Sequence, residues 1–302
     1  MAISRQSTYI IAPLIAVRYN RAPMLTQLSE CRRALTPSSL GILLVPVVIL
    51  ALQLPLRGQL ANGSLVVLQS ADDYLVISAD SKSLSAKSVS VHSCKVTALD
   101  NGLLYANAGY TSKASLYSHW DASDIARQHF RLLAKTPRHE LIPKLAEAYA
   151  ADIAARVEPD VTGHPAEGWP QELTTALFAG FDEDRRRVVI VASVHRTPTG
   201  VGHSTKAFPA IDDVYHVAIG EAAITQEFAA GKTLRSQSWQ SSLTFQMTGF
   251  GIREKLITAA EKMVELTSQY QPSMVGGPID TVVVSRTTGV AWVRRKPECR
   301  GR

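Results

Sequence analysis

With 302 residues, 46% of them hydrophobic, the chain is long enough for one large domain or two small ones and can bury a sizeable core. The net charge of +6 is local: residues 1–63 hold six arginines against one acid, Glu30, while the other 26 basic and 25 acidic residues nearly cancel. That balance gives no electrostatic reason to expect a nucleic-acid partner, and three cysteines (Cys31, Cys94, Cys299) without metal-ligand spacing supply no disulfide framework.

Residues 1–63 read as a leader. "CRRALTPSS" precedes the apolar run 40–56, "LGILLVPVVILALQLPL", and a short polar stretch follows, which is the layout of a secretory signal. The run is shorter than the roughly 20 residues that span a bilayer and is interrupted by Pro46, Gln53 and Pro55. It fits a cleaved export signal or a membrane tether; a propeptide on a cytoplasmic protein is the alternative. Met24 offers a second start. Small residues at Ala61 and Gly63 suit a cut before Ser64, and a cut after Ala61 fits less well because of Gln59. "ANG" also suits an ordinary turn between leader and body.

From Ser64 the pattern is that of a folded domain, taken here as 64–293, with 294–302 as a solvated basic tail. "SLVVLQSADDYLVISAD" reads as a hairpin, and "VSVHSCKVTAL" with "GLLYANAG" as a strand pair turning at Asp100–Gly102. Helices follow at Asp121–Lys135 and His139–Val157, with Pro143 expected in the first turn. "TTALFAGFD" and "RRRVVIVASV" form a strand pair, "GVGHSTKAFPAIDD" a loop or edge, and "VYHVAIG" a strand entering the helix "EAAITQEFAAG". A longer helix covers Gly251–Tyr270, with Leu256, Ala259, Ala260, Met263 and Leu266 on one face, before a closing hairpin, "PIDTVVVSRTTGVAWV". Blocks of strands alternating with blocks of helices predict an α+β fold: a four-layer αββα sandwich of two stacked antiparallel sheets flanked by helices.

Common catalytic motifs are absent. "AAGKT" lacks the first glycine of a phosphate loop, because Gln226 stands there; "HELIP" lacks the second histidine of a zinc helix; there is no G-x-S-x-G. None of the eight histidines pairs with acids or cysteines at ligand spacing.

What remains is the start of the body: "GS" at Gly63–Ser64, "ADSK" at Ala79–Lys82, "CKV" at Cys94–Val96 and "NAGY" at Asn107–Tyr110. In that order and spacing they resemble the proteasome β-subunit family and its bacterial relatives, which are N-terminal nucleophile hydrolases. "FAGFDEDRRRVVIV", "VAIG" and "GGPIDTVVV" extend the resemblance over roughly residues 64–293. The resemblance implies processing between Gly63 and Ser64, Ser64 as nucleophile, Lys95 as the adjacent cation and Asp80 as its partner. It also implies the Gly109 N–H as oxyanion donor, and Ser83 and Asn107 at a small, polar substrate pocket. A peptide or amide substrate, a homo-oligomeric ring and no cofactor or metal go with it. The residue types suit the chemistry, since a serine hydroxyl needs a base and an N-terminal serine carries one in its own α-amine, which titrates near ~8. Each residue also has an ordinary reading: Ser64 as linker, Asp80 as a strand-end turn, Lys95 as a surface lysine, Gly109 as a turn glycine.

The sequence departs from the family at three points. Glu221 follows "VAIG" where the family has serine, and Pro272 and Val275 stand where it has an aspartate and a serine that support the nucleophile. Two functions therefore stay open: a proteasome-like serine peptidase, or a catalytically silent module for assembly or binding.

Overall fold

Leu65 to Ala71 is almost uninterrupted in apolar side chains because this strand is covered on both faces. Val66 and Leu68 point into one core, Leu65, Val67 and Ala71 into another, and every residue of the strand is buried. Burial of each large aliphatic side chain contributes roughly 1.5–3 kcal/mol. The computed structural model describes residues 64–300, apart from 72, 85–88, 91–92, 115–118, 164–169 and 209–214. Gly63 and the 40–56 run lie outside the described residues.

In chain order, β1 (Leu65–Ala71) and β2 (Tyr74–Ala79) form a hairpin, followed by the short pair β3 (Ser83–Leu84) and β4 (Val89–Ser90). Next come β5 (Val96–Ala98), β6 (Leu103–Gly109), the short pair β7 (Ser112–Ala114) and β8 (His119–Asp121), then α1 (Ala122–Leu132) and α2 (Arg138–Thr162). After β9 (Glu172–Phe181), β10 (Arg187–Thr197), β11 (Gly200–Phe208) and β12 (Tyr215–Gly220) come α3 (Ala223–Ala230), α4 (Leu234–Gln246) and α5 (Ile252–Tyr270). The chain closes with β13 (Asp280–Ser285), β14 (Gly289–Arg294) and a 3₁₀ turn at Pro297–Cys299.

Two five-stranded antiparallel sheets result, ordered β12-β1-β2-β13-β14 and β11-β10-β9-β6-β5. Their facing sides share one core, in which Val66, Leu68, Ile77 and Val282 meet Leu104, Ala106, Leu177 and Val191. The outer face of the second sheet packs on α1 and α2 through Tyr105, Phe178, Ile142, Tyr149 and Ile153. The outer face of the first packs on α3–α5 through Val67, Val76, Phe228, Leu256 and Met263. Four layers, α, β, β, α, are thus in place, as the block order predicted.

Some particulars bear the sequence reading out and others depart from it. Asp121 caps α1, its carboxylate accepting from the amides of Ser123 and Asp124. In α2, Pro143 is the sixth residue rather than part of the first turn, and Pro159 also lies inside. Packing of Leu141, Leu145, Tyr149 and Ile153 sustains this helix against two prolines. The "GVGHSTKAF" segment is a full edge strand paired to β10 along its length, and α4 is a helix the periodicity did not signal. Residues 294–300 are not solvated throughout, since Lys296 and Cys299 are buried. Although three cysteines give no disulfide framework from the sequence, Cys94 is joined to Cys299 across 205 residues. No helix among the described residues is long and apolar enough to cross a membrane.

Candidate active site

The β1–β2 register fixes the first half of the site. Val66 pairs with Ala79, so Asp80 falls opposite Leu65 at the open end of the hairpin, beside Ser64. Asp80 Oδ1 accepts from the Leu65 amide at 2.8 Å and from Lys95 Nζ at 2.5 Å. The ammonium and the peptide nitrogen joining Ser64 to Leu65 therefore rest on one oxygen atom. The other oxygen, Oδ2, accepts from the amides of Lys82 at 3.0 Å and Gly276 at 3.1 Å. Four donors on one buried carboxylate hold it in a single orientation and satisfy its charge.

Lys95 enters from the other sheet, one residue before β5. It is 2% exposed and also donates to the Lys82 carbonyl at 2.5 Å. Among the described residues these acceptors take two of its three N–H groups. Burial pulls the Lys95 pKa down to about 8, against the pull of Asp80 upward, and the nearby charge of Lys296 lowers it further.

Ser64 is buried, and its carbonyl accepts from the Glu221 amide at 2.7 Å. Gly220, the last residue of β12, has a φ of +85°, and a Cβ there would overlap the Ser64 carbonyl oxygen and reach within 2.9 Å of Ala108 Cβ. Only glycine suits that turn. The same near-contact brings the end of β6 against Ser64. Gly109 follows Ala108 with a φ of +97°, and a Cβ there would come within 2.6 Å of the Leu173 carbonyl oxygen. Along β6 the Asn107 amide donates to the Lys95 carbonyl at 3.0 Å; two residues on, strand alternation turns the Gly109 N–H to the same edge, past the start of β5. Ser64, Asp80, Lys95 and Gly109 thus converge at one end of the sandwich, two from each sheet.

Ser83 and Asn107, the two residues expected at the substrate pocket, lie on β3 and β6. Asn107 is buried, on the same face of β6 as Tyr105, a residue of the helix-facing core. Ser83 is half-buried at the start of β3.

Around Glu221, Pro272 and Val275 the contacts run mainly through backbone and amide groups. The Gly276 amide reaches Asp80, and the Gly276 carbonyl accepts from the amides of Ser81 and Lys82. Val275 is fully buried and apolar, and the Pro272 carbonyl takes the Lys82 ammonium. Glu221 Oε1 accepts from Gln271 Nε2 at 3.0 Å, tying the turn that holds the Ser64 carbonyl to the end of α5.

Sequence reasoning missed a second buried ion pair beside the first. Lys296 Nζ lies 2.9 Å from Asp280 Oδ2, with both side chains at most 3% exposed, and donates to Ser81 Oγ at 2.8 Å and to the Ser93 carbonyl. Its backbone amide donates to Asp280 Oδ1 at 2.9 Å. The one signal in the sequence was the position of Cys94, directly before Lys95, with a cysteine near the C-terminus to meet it. No group of side chains able to hold a metal ion occurs among the described residues.

No family model matches the chain, and no curated protein matches it. Among solved structures the chain is similar to Anbu from Hyphomicrobium sp. strain MC1, at 14% identity and a TM-score of 0.46, over 77% of this chain and 86% of that one. It is also similar to the Anbu (Gly-1) mutant from the same strain, at 14% identity and a TM-score of 0.44, over 78% and 86% respectively.

Proposed function

We propose that the chain is a proteasome-like N-terminal serine hydrolase that cleaves peptide (amide) bonds once the Gly63–Ser64 bond has been cut. The observation that carries this reading is the Asp80–Lys95 pair, buried and built onto the Leu65 amide beside Ser64. A surface lysine or a strand-end turn would not be enclosed in this way.

In the reaction the freed α-amine of Ser64 takes the proton from Oγ as Oγ attacks the substrate carbonyl. Lys95, held by Asp80 and the Lys82 carbonyl, faces the developing negative charge, and the Gly109 N–H donates to the oxyanion. Collapse passes the proton from the α-amine to the leaving amine and leaves an ester on Ser64. Water, deprotonated by the same amine, then releases the acid.

The amine must be neutral and Lys95 charged, so turnover rises and then falls around pH 8, the alkaline limb following Lys95. Ser64→Ala should lower peptide-amide turnover by at least about 10³-fold and abolish labelling by a hydroxyl-directed β-lactone probe. Turnover in Ser64→Ala equal to the parent's rules the mechanism out.

A second reading, a silent assembly or binding module, is favoured by one observation: Val275 is fully buried and apolar where the family places a serine. It predicts an uncut chain that no hydroxyl-directed probe labels. A homo-oligomeric ring belongs to either reading. We further propose that the protein is exported or held at a membrane through 40–56; the Cys94–Cys299 disulfide supports an oxidising compartment.

A further inference from the structure

The segment after β14 makes contacts that a passive tail has no reason to make. Lys296 Nζ places its three N–H groups on Asp280, Ser81 Oγ and the Ser93 carbonyl. Ser81 directly follows Asp80, and its hydroxyl donates onward to the Pro278 carbonyl, so it is fixed from two sides. Ser93 precedes the Lys95 segment by two residues, and its amide donates to the Ser81 carbonyl at 3.0 Å. Cys299 is bonded to Cys94, the neighbour of Lys95.

Why the Lys95 segment needs such support follows from the sheet. Lys95 stands just before β5, a three-residue strand at the edge of its sheet, paired on one side only. Three residues of one-sided ladder give little rigidity to an ammonium that has to be placed within a fraction of an ångström. The contacts of residues 296–299 fall on Ser93, Cys94 and Ser81, which flank Lys95 and Asp80 in sequence. They supply the stiffness the short strand lacks.

We infer that the C-terminal segment Lys296–Cys299 is a working part of the Ser64 site, with Lys296 as a positioning residue for the Asp80–Lys95 pair and the Cys94–Cys299 disulfide as its lock. The inference rests on the peptidase reading above and adds to it a residue, a charge and a redox dependence. Two charges act on Lys95: Asp80, which favours its protonated form, and Lys296, which disfavours it. Removing the second cation lets Lys95 hold its proton to higher pH and moves the alkaline limb of the rate profile upward. Reduction by a dithiol breaks the Cys94–Cys299 bond with two electrons and two protons, giving two protein thiols and a cyclic disulfide on the reagent. The 296–299 segment then loses its covalent tie to the Lys95 segment.

The test uses the mature full chain and Lys296→Met, Lys296→Arg and Cys94→Ser/Cys299→Ser variants, each checked for a folded circular-dichroism spectrum. Two quantities are read across pH: the rate of Ser64 labelling by the β-lactone probe, and the titration of Lys95 by NMR. Lys296→Met is expected to label at least tenfold more slowly at pH 7.5, on the order of the loss of one positioning contact, with Lys95 titrating at higher pH. Lys296→Arg should recover most of the rate. The double cysteine variant, and the parent treated with dithiol, should label several-fold more slowly while remaining folded. Parental labelling together with parental Lys95 titration in Lys296→Met overturns the inference. A parent that the probe does not label at Ser64 overturns instead the peptidase reading, and with it the working role of the tail; the two failures are thus told apart.

Discussion

Asp80 shows how one residue can organise a site. Its carboxylate accepts four hydrogen bonds, and each donor belongs to a different part of the chain: β1, the segment after β2, the residue before β5 and the loop after α5. Asp80→Asn leaves Lys95 buried without its counter-charge, which should lower unfolding free energy by roughly 3–5 kcal/mol in urea titration. Asp80→Asn combined with Lys95→Met should recover much of that loss, because the uncompensated charge is gone. Gly220 makes a similar point through backbone. Gly220→Ala forces a side chain at a φ of +85° into the Ser64 carbonyl, so a drop of about 2 kcal/mol or more in stability is expected, together with loss of Ser64 labelling. His216, on β12, carries a pH signature of its own, for burial lowers its pKa to about 4. Its unfolded value lies near ~6.5. Between these values the unfolded chain binds the extra proton, so stability is fully present above the upper one and is lost as pH falls toward the lower, by up to about 3 kcal/mol. His216→Gln should flatten the stability profile between pH 4 and 6.5 in the same titration.

Elements became legible in the sequence where burial imposed a period, and not elsewhere. The β1–β2 hairpin, β9, β10 and α5 carry dense apolar patterns because cores cover them, and their expected bounds agree with the structure to within a few residues. β11 is half-buried or exposed from Gly200 to Ala207, with only Phe208 buried, so polar residues fill it; pairing with β10, and the hold of Glu147 on His203 and Thr205, make it a strand. In α4 only Ser236 and Leu243 are buried, and the segment reads as serine- and glutamine-rich with no apolar stripe. A capping box between Thr233 and Ser236 starts it instead. The 296–299 turn was missed for a third reason: its burial depends on a disulfide and an ion pair with residues far away in sequence. Because that disulfide closes a loop of 205 residues, removing it as Cys94→Ser/Cys299→Ser should cost about 2–5 kcal/mol of stability, read from the urea midpoint.

At the scale of the molecule, two stacked sheets place their strand ends together, and that is what assembles the site. Asp80 at the end of β2 and Gly220 at the end of β12 come from one sheet, Lys95 at the start of β5 and Gly109 at the end of β6 from the other. Spacing and resemblance singled out Ser64, Asp80, Lys95 and Gly109 as candidates. The sequence could not carry their supports, because Gly276, Glu221, Gln271 and Lys296 act through backbone or long-range contacts that leave no local pattern. Everything in the proposed chemistry then depends on whether Ser64 owns a free amine. Intact mass and N-terminal sequencing of the protein purified from its native host decide it. The account predicts a mature chain that starts at Ser64 and gains the mass of one β-lactone on that residue; a chain that still carries Gly63 contradicts it.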